Sequence, residues 1–545
     1  MKKLLCTLLA AAMLTGCTAA PVQTLPPSQS ATEDSTAVRF QLEKGGLSVT
    51  APDGMAENAV TAANDIIYYE EGHDESYGEG EKWDSHSAAE AARHTVVHIN
   101  APGTYVVSGK LEFGQIAVDL GEDAKNDPSA VVTLILDGLD VTCTVAPAII
   151  FYNVYECGDG ENPTATPDTS AAGANVILAE GSQNYVNGSH VAKIYKPGTE
   201  KKLHKYDGAF YSRMSMNVGG SGELHITADN EGLDSEMHLT INGGEVYIKS
   251  GNDGINTNED GVSVTTINGG TLSITVTGET GEGDGIDSNG WLVINGGSVF
   301  AYACDRSMDS GIDSDMGIAI NGGTVVATGN MLDRIEDGGQ THAVFSFAQP
   351  QTGGTYALKN EKGIALFDIT APNGFSSLIL SSPDLAEGTY TLWCGDTQFE
   401  GMVSFNGGGF FGGMHPGPQP IDRPEFPGKG DGDVEIPPQP TVPIVTHDIG
   451  QQPAPDMSVK GEGPAIPDSP DGEPPADMPM PDFGGFDPSL MPEGGQPPQM
   501  PEGMAPPRDG FGRQPIGDSL MVEMLTTDFP ISPGANYFTN LQSTE

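Results

Sequence analysis

Short runs of alternating apolar and polar residues, three to six long and rich in β-branched side chains, follow one another through most of the chain. Gly pairs and Asn-Gly steps break them. The alternation predicts short strands joined by turns, and no stretch in the most regular region, 207–346, carries a helical period. The runs also recur as a phrase, at 207–212, 230–235, 252–257, 283–288 and 309–314, with a degenerate sixth copy at 341–346. A second phrase, Ile-Asn-Gly-Gly, stands at 241–244, 267–270, 294–297 and 320–323. Copies of the first phrase lie 22 to 32 residues apart, a period that belongs to solenoids or propellers. Propeller blades and leucine-rich repeats carry signatures absent here, and the nonapeptide solenoid has too short a period. An all-β parallel β-helix with one coil per repeat remains.

In such a coil the repeats align as columns, stacked at the interstrand spacing of about 4.8 Å. Phe210, Leu233, Ile255, Ile286, Ile312 and Val344 form an aliphatic column expected to face inward. Before it runs a column of small residues, Ala209, Gly232, Gly254, Gly285, Gly311 and Ala343, expected at a sharp bend. Acidic residues flank both: Asp234, Asn256, Asp287 and Asp313 follow the aliphatic position, Glu231, Asp253 and Asp284 precede the glycine, and Asp207 and Asp309 open their phrases. Two carboxylates about 4.8 Å apart repel by roughly 3 to 4 kcal/mol at an effective dielectric of about 20. A column of them calls for a counterion, and a set of oxygen ligands without His or Cys matches Ca²⁺. The competing reading makes them solvated turn residues whose side chains point apart.

These phrases resemble the bacterial carbohydrate-binding β-helix family, surface proteins that bind cellulose and pectate-type polymers and whose fold is similar to family 9 pectate lyases. Further matching phrases lie at 101–109 (Ala-Pro-Gly-Thr-Tyr-Val-Val-Ser-Gly), 132–139 (Val-Thr-Leu-Ile-Leu-Asp-Gly-Leu) and 176–181 (Val-Ile-Leu-Ala-Glu-Gly), so the resemblance covers about 96–395. It implies a right-handed β-helix, bound Ca²⁺ and polysaccharide binding.

The apolar run 4–14 after Lys2 and Lys3, ending in Leu14-Thr15-Gly16-Cys17, reads as a signal peptide with a lipobox over 1–17, with Cys17 the lipidated residue. The expected location is the bacterial cell surface, outside the cytoplasm, held to the membrane by that lipid. Residues 18–38 read as a flexible tether and 39–93 as an N-terminal elaboration, with a short helix expected at 56–67. The β-helix is expected over 94–348, its early coils irregular and 158–173 a loop thrown out from one of them. A small C-terminal β cap follows at 349–404. Of 41 prolines, 26 lie within 416–515, so 405–518 reads as a disordered insertion, after which 519–545 returns as the last strands of the cap.

Acidic residues number 75 against 24 basic, a net charge of −51 that repels a phosphate backbone and excludes nucleic acid as a partner. A monomer is expected. Beyond the signal and Cys17, Cys143, Cys157, Cys304 and Cys394 allow three pairings, Cys143 with Cys157 among them. A lyase needs a base beside Ca²⁺, as the resemblance implies. Lys249, alone among lysines within 206–358, is the single candidate, projecting outward beside the Asp253 column; its plainer reading is a solvated surface lysine. His190, His204, His225, His238 and His342 lack zinc spacing and read as surface residues. Tyr211, Tyr247, Trp291 and Tyr302, with Phe300, offer a sugar-stacking strip, although Trp291 also reads as core. The expected function is non-catalytic polysaccharide binding. A Ca²⁺-dependent polysaccharide lyase and a structural or adhesive stalk are the alternatives.

Overall fold

The computed structural model describes residues 37–43, 46–51, 58–74, 76–158, 160–195, 202–404 and 525–544. The signal peptide with Cys17, nearly all of the tether, the Pro-rich segment and residues 519–524 of the stretch expected to return as cap strands lie outside them.

Among the described residues the protein is nearly all β: helix is confined to one turn at Ala88–Ala91 and two 3-10 turns at Lys82–Asp84 and Glu122–Asn126. Ser87 caps the helical turn by accepting from the Glu90 amide at 3.2 Å. The helix expected at 56–67 is instead, in part, the strand Val60–Ala63, antiparallel to Thr95–Ile99. A piece this short cannot repay helix nucleation, whereas pairing satisfies its backbone at once.

The strands fall into an eight-stranded, a 24-stranded and a three-stranded sheet, large, mixed and not closed. Within the first two, each repeat adds one strand to each of three parallel ladders. The first ladder carries the repeated phrase: Thr95–Ile99, Gly114–Asp119, Ile149–Asn153, Gly208–Ser212, Glu231–Ser235, Ile255–Thr257 and Ile286–Ser288, extended by a bridge from Ile286 to Ile312. The second runs from Gly103–Leu111 through Val132–Thr142, Ala174–Leu178, Met216–Gly220, Leu239–Ile241, Val264–Ile267 and Trp291–Ile294 to Gly317–Ile320. The third starts at the far end of Val132–Thr142 and runs through Gln183–Gly188, Glu223–Ala228, Glu245–Ser250, Thr271–Val276 and Ser298–Tyr302 to Thr324–Gly329.

Register places like on like. Phe210, Leu233, Ile255 and Ile286 pair in sequence and are fully buried, as are Val246, Val299 and Val325 of the third ladder with Leu272 among them. These columns join one hydrophobic core running from Val38 to Ile379. At the turns, Asn268 donates to Asn242, Asn295 to Asn268 and Asn321 to Asn295, each at 2.9 Å, so the Ile-Asn-Gly-Gly phrase is a side-chain ladder as well as a turn.

The sixth phrase, 341–346, does not stack on the fifth. Its strand His342–Gln351 lies antiparallel to Phe375–Ser381 and parallel to Ala535–Ser543. Val344 therefore leaves the aliphatic column, and parallel stacking gives way to antiparallel pairing. Gly354–Asn360, Ala365–Ala371, Gly388–Cys394, Thr397–Ser404 and Phe529–Ile531 complete this layer around a second core of Phe345, Tyr356, Phe367, Phe375, Phe529 and Phe538. Covering the last strand removes an exposed edge. The four described cysteines are free thiols, so Cys143 and Cys157 do not pair.

Candidate functional site

The first ladder turns its acidic residues into two adjoining clusters. Tyr211, Asp234, Asn256 and Asp287 are consecutive register partners, and the Asp313 amide donates to the Ile286 carbonyl at 2.7 Å. Parallel stacking in register is what brings like charges together, since each strand carries the phrase without an offset.

Part of each carboxylate is spoken for by the backbone of the following coil. The Asp284 amide donates to Asp253 Oδ1 at 2.7 Å, and the Ser310 amide to Asp284 Oδ1 at 2.5 Å. Turn chemistry accounts for those oxygens. It does not account for the rest. Asp284, Asp287 and Asp313 each bring one carboxylate oxygen within 4.8 Å of the other two. On the two preceding strands of the ladder, Asn256 donates to Glu231 Oε1 at 3.2 Å and Asn258 to Asp234 Oδ1 at 2.8 Å, yet Glu231 Oε2, Asp234 Oδ2 and Asn256 Oδ1 are buried without any hydrogen-bond partner. A buried, unpartnered carboxylate oxygen is costly unless something positive or a proton reaches it.

Electrostatics say the same. Burial, and then the neighbouring carboxylates, push Glu231, Asp234 and Asp284 well above the usual range. Burial with the charges of neighbouring acids raises Asp253 and Asp287 to about 7 and Asp313 to about 8, and burial raises Asp333 to about 6. Without a cation these groups resist ionising together at neutral pH. The donor set is all oxygen, from Asp, Glu and Asn, which fits Ca²⁺. Glu231, Asp234 and Asn256 would hold an ion in one cluster, and Asp284, Asp287 and Asp313 in the other.

Asp207 and Asp309 are placed differently. Lys205 Nζ lies 2.8 Å from Asp207 Oδ2, a built-in cation beside the first cluster. Asp309 turns into its own loop, accepting from the Gly283 amide at 2.7 Å, from Cys304 Sγ at 3.2 Å and from the Ser307 hydroxyl. Lys205 stands one residue before the 206–358 stretch in which Lys249 is the single lysine. Burial works against its charge, but Asp207, Glu231 and Asp234 outweigh it and hold the ammonium above its ordinary value. A lysine so held is a poor proton acceptor. Lys249 is exposed between Thr227 and Thr275 of the third ladder.

The aromatic strip is corrected. Tyr211 is fully buried, its hydroxyl donating to Glu236 and, at 3.3 Å, to the Lys205 carbonyl. Trp291 is buried against Val264, Val293, Ala319 and Ala165, the last of these on the excursion within 158–173 that folds back over the second ladder. There the Asn217 side chain donates to the Thr169 carbonyl at 2.8 Å. Tyr302 is buried in the cap core. Of the four, only Tyr247 reaches solvent, half-buried on the third ladder. Its ring stacks on His225, centroids 4.8 Å apart, and His225 stacks on Tyr185 at 4.9 Å. Residues alone do not place Tyr185 and His225 in the strip, because they share a column with Tyr247 only once the register is known.

Among the five histidines, His204 and His225 remain partly exposed, and the surface reading is corrected for the others. His238 and His342 are buried, each 3% exposed. His190 is clamped between Asp84 Oδ1 at 3.2 Å and Asp229 Oδ1 at 3.3 Å.

Residues 93–158 and 159–349, which hold nearly all of the three ladders and both acidic clusters, match a family model described as carbohydrate-binding domain-containing protein. A curated relative of the same description from Acetivibrio thermocellus is 27% identical over 207 residues, 38% of this chain and 59% of the relative. The chain thus spans about three fifths of that relative's length. A solved structure, the polysaccharide lyase-like protein from C. thermocellum as a gadolinium derivative, is 19% identical, covering 53% of this chain and 92% of its own at a TM-score of 0.33.

Proposed function

We propose that this protein binds polysaccharide, of cellulose or polyuronate type, through a right-handed parallel β-helix whose coils are tied together by Ca²⁺, and that it does so without catalysis. The polymer is inferred from the likeness to carbohydrate-binding domain proteins over the residues that form the ladders. The Ca²⁺ rests on one observation above the others: buried Glu231, Asp234 and Asn256 oxygens without partners, one coil from three converging carboxylates. A divalent ion there relieves the repulsion of roughly 3 to 4 kcal/mol per neighbouring pair and stabilises the fold by mass action. Lipidation at Cys17 would hold the protein on the cell surface, as a monomer.

Chelation is expected to lower the melting temperature, and Asp287→Asn to shrink that shift, whereas Asp123→Asn in a remote turn leaves it unchanged. Equal melting curves in excess EDTA and in Ca²⁺, with no metal on elemental analysis, return these residues to turn formation. A lyase is the second reading, favoured by a lysine beside an acidic cluster; the charge held on Lys205 weighs against it. Unsaturated product from polygalacturonate and Ca²⁺ that disappears in Lys205→Ala or Lys249→Ala establishes the lyase. Retention on no polysaccharide leaves the stalk.

A further inference from the structure

One face of the stacked strands stays open. Along the third ladder, alternation buries Val186, Leu224, Ile226, Val246 and Ile248, and turns the intervening residues outward. Unlike the second ladder, which the excursion within 158–173 covers, this face keeps Gln183, Tyr185, Thr227, Glu245 and Lys249 exposed.

The central outward column is Tyr185, His225, Tyr247 and Ser273, consecutive register partners with Phe300 after them. Its first three rings are nearly parallel in pairs, inclined 16° and 12°, so each covers the face of the next. The stack stops at Ser273, whose side chain is too small to cover a ring. Tyr247 is thereby left with a bare face over Ser273, and half-buried Phe300 stands two strand spacings away, about 9.6 Å. A saturated ring midway would lie about 4.8 Å from each, close to van der Waals contact.

On one side of this column, Glu223 accepts from Gln183 Nε2 and from His225 Nε2, both at 3.1 Å, and Glu245 accepts from the Tyr247 hydroxyl at 2.9 Å. These positioned carboxylates have lone pairs left for hydroxyl donors, and such charge-assisted bonds are the strong ones. On the other side stand Asn187, Thr227, Lys249 and Thr275, one per coil. Asn187 and Thr227 border a groove of about 360 Å³ shared with Thr142, Ser189 and Asp229.

We propose that this open face is the docking strip for an uncharged glycan in an extended, ribbon-like form, with one pyranose ring seated over Ser273 against the free face of Tyr247. The inference rests on the polysaccharide-binding reading and adds the place and the charge class. An aromatic face attracts the C–H face of a sugar, and the polar columns on either side meet its equatorial hydroxyls. Charge excludes the polyuronate alternative here. The strip sets Glu223 and Glu245 against Lys249, within a chain of net charge −51, and a polyanion is repelled by both.

Calorimetric titration of the full chain with cellohexaose and with polygalacturonate, both in Ca²⁺, tests this directly. Wild type is expected to bind the neutral oligosaccharide. Ser273→Tyr, which fills the gap with a ring, and Tyr247→Ala, which removes the platform, are each expected to weaken it by about three- to tenfold without lowering the melting temperature. Tighter binding of polygalacturonate than of cellohexaose overturns the charge argument. Unchanged neutral binding in both variants removes the strip while leaving polysaccharide binding intact. Binding of neither polymer by wild type overturns the strip and the reading beneath it together.

Discussion

His190 joins parts of the chain that are remote in sequence. Asp84 belongs to the N-terminal elaboration and Asp229 to the end of a third-ladder strand, where Ser189 also donates to Asp229 Oδ2 at 2.6 Å. Burial works against the imidazolium, but the hydrogen bonds and charges of Asp229 and Asp84 outweigh it and push the group up to about 10. Its folded pKa lies above the unfolded value of about 6.5, so the folded state binds the extra proton. The stabilisation is therefore complete below about pH 6.5 and is lost as pH rises through about 10. His190→Gln is expected to cost about 1.5–3 kcal/mol at pH 6, and the gap to wild type in chemical denaturation should close above pH 10. A gap independent of pH would show that packing, not charge, carries the effect. Sequence spacing reads His190 as a surface residue because neither carboxylate is near it along the chain.

At the scale of the strand, the small-residue column proves to be a matter of clearance. A Cβ added at Gly254 would lie 2.1 Å from Ile274 Cγ2 and 2.6 Å from the Gly285 carbonyl oxygen, and Gly232 and Gly285 meet their neighbours as closely. The first and third ladders press together there, and the aliphatic column behind leaves no room to retreat. Gly254→Ala is expected to destabilise by about 1–3 kcal/mol through overpacking, whereas Gly160→Ala, with nothing within 4 Å, should stay within about 0.5 kcal/mol. Equal effects would mean that the column is tolerant. The sequence shows that a small residue recurs at this position. It does not show that the obstacle is the neighbouring ladder, a contact between elements about 20 residues apart.

At the scale of the whole molecule, the parallel ladders give way to a largely antiparallel cap at their C-terminal end. Phe345, Phe529 and Phe538 hold that layer, with ring centroids 5.0 to 5.4 Å apart, and two of the three come from the far side of residues 405–524. Phe538→Ala is expected to cost about 3–5 kcal/mol and to raise hydrogen exchange in His342–Gln351 and Ala535–Ser543 ahead of Glu231–Ser235. Simultaneous loss of protection in both would make cap and ladders one cooperative unit. The repeat period, the alternation and the acidic columns were open to reading from residues alone, because a parallel ladder without offset turns sequence periodicity into spatial columns. The same logic explains what was not legible. Which outward column is covered depends on excursions such as that within 158–173, which carry no period, so residues alone leave Trp291 divided between strip and core and read Tyr211 as an exposed ring. Tyr185, His225 and Tyr247 form a stack only through a register spanning coils 40 and 22 residues long. A local pattern determines which way a side chain points; what lies over it is decided by chain arriving from elsewhere.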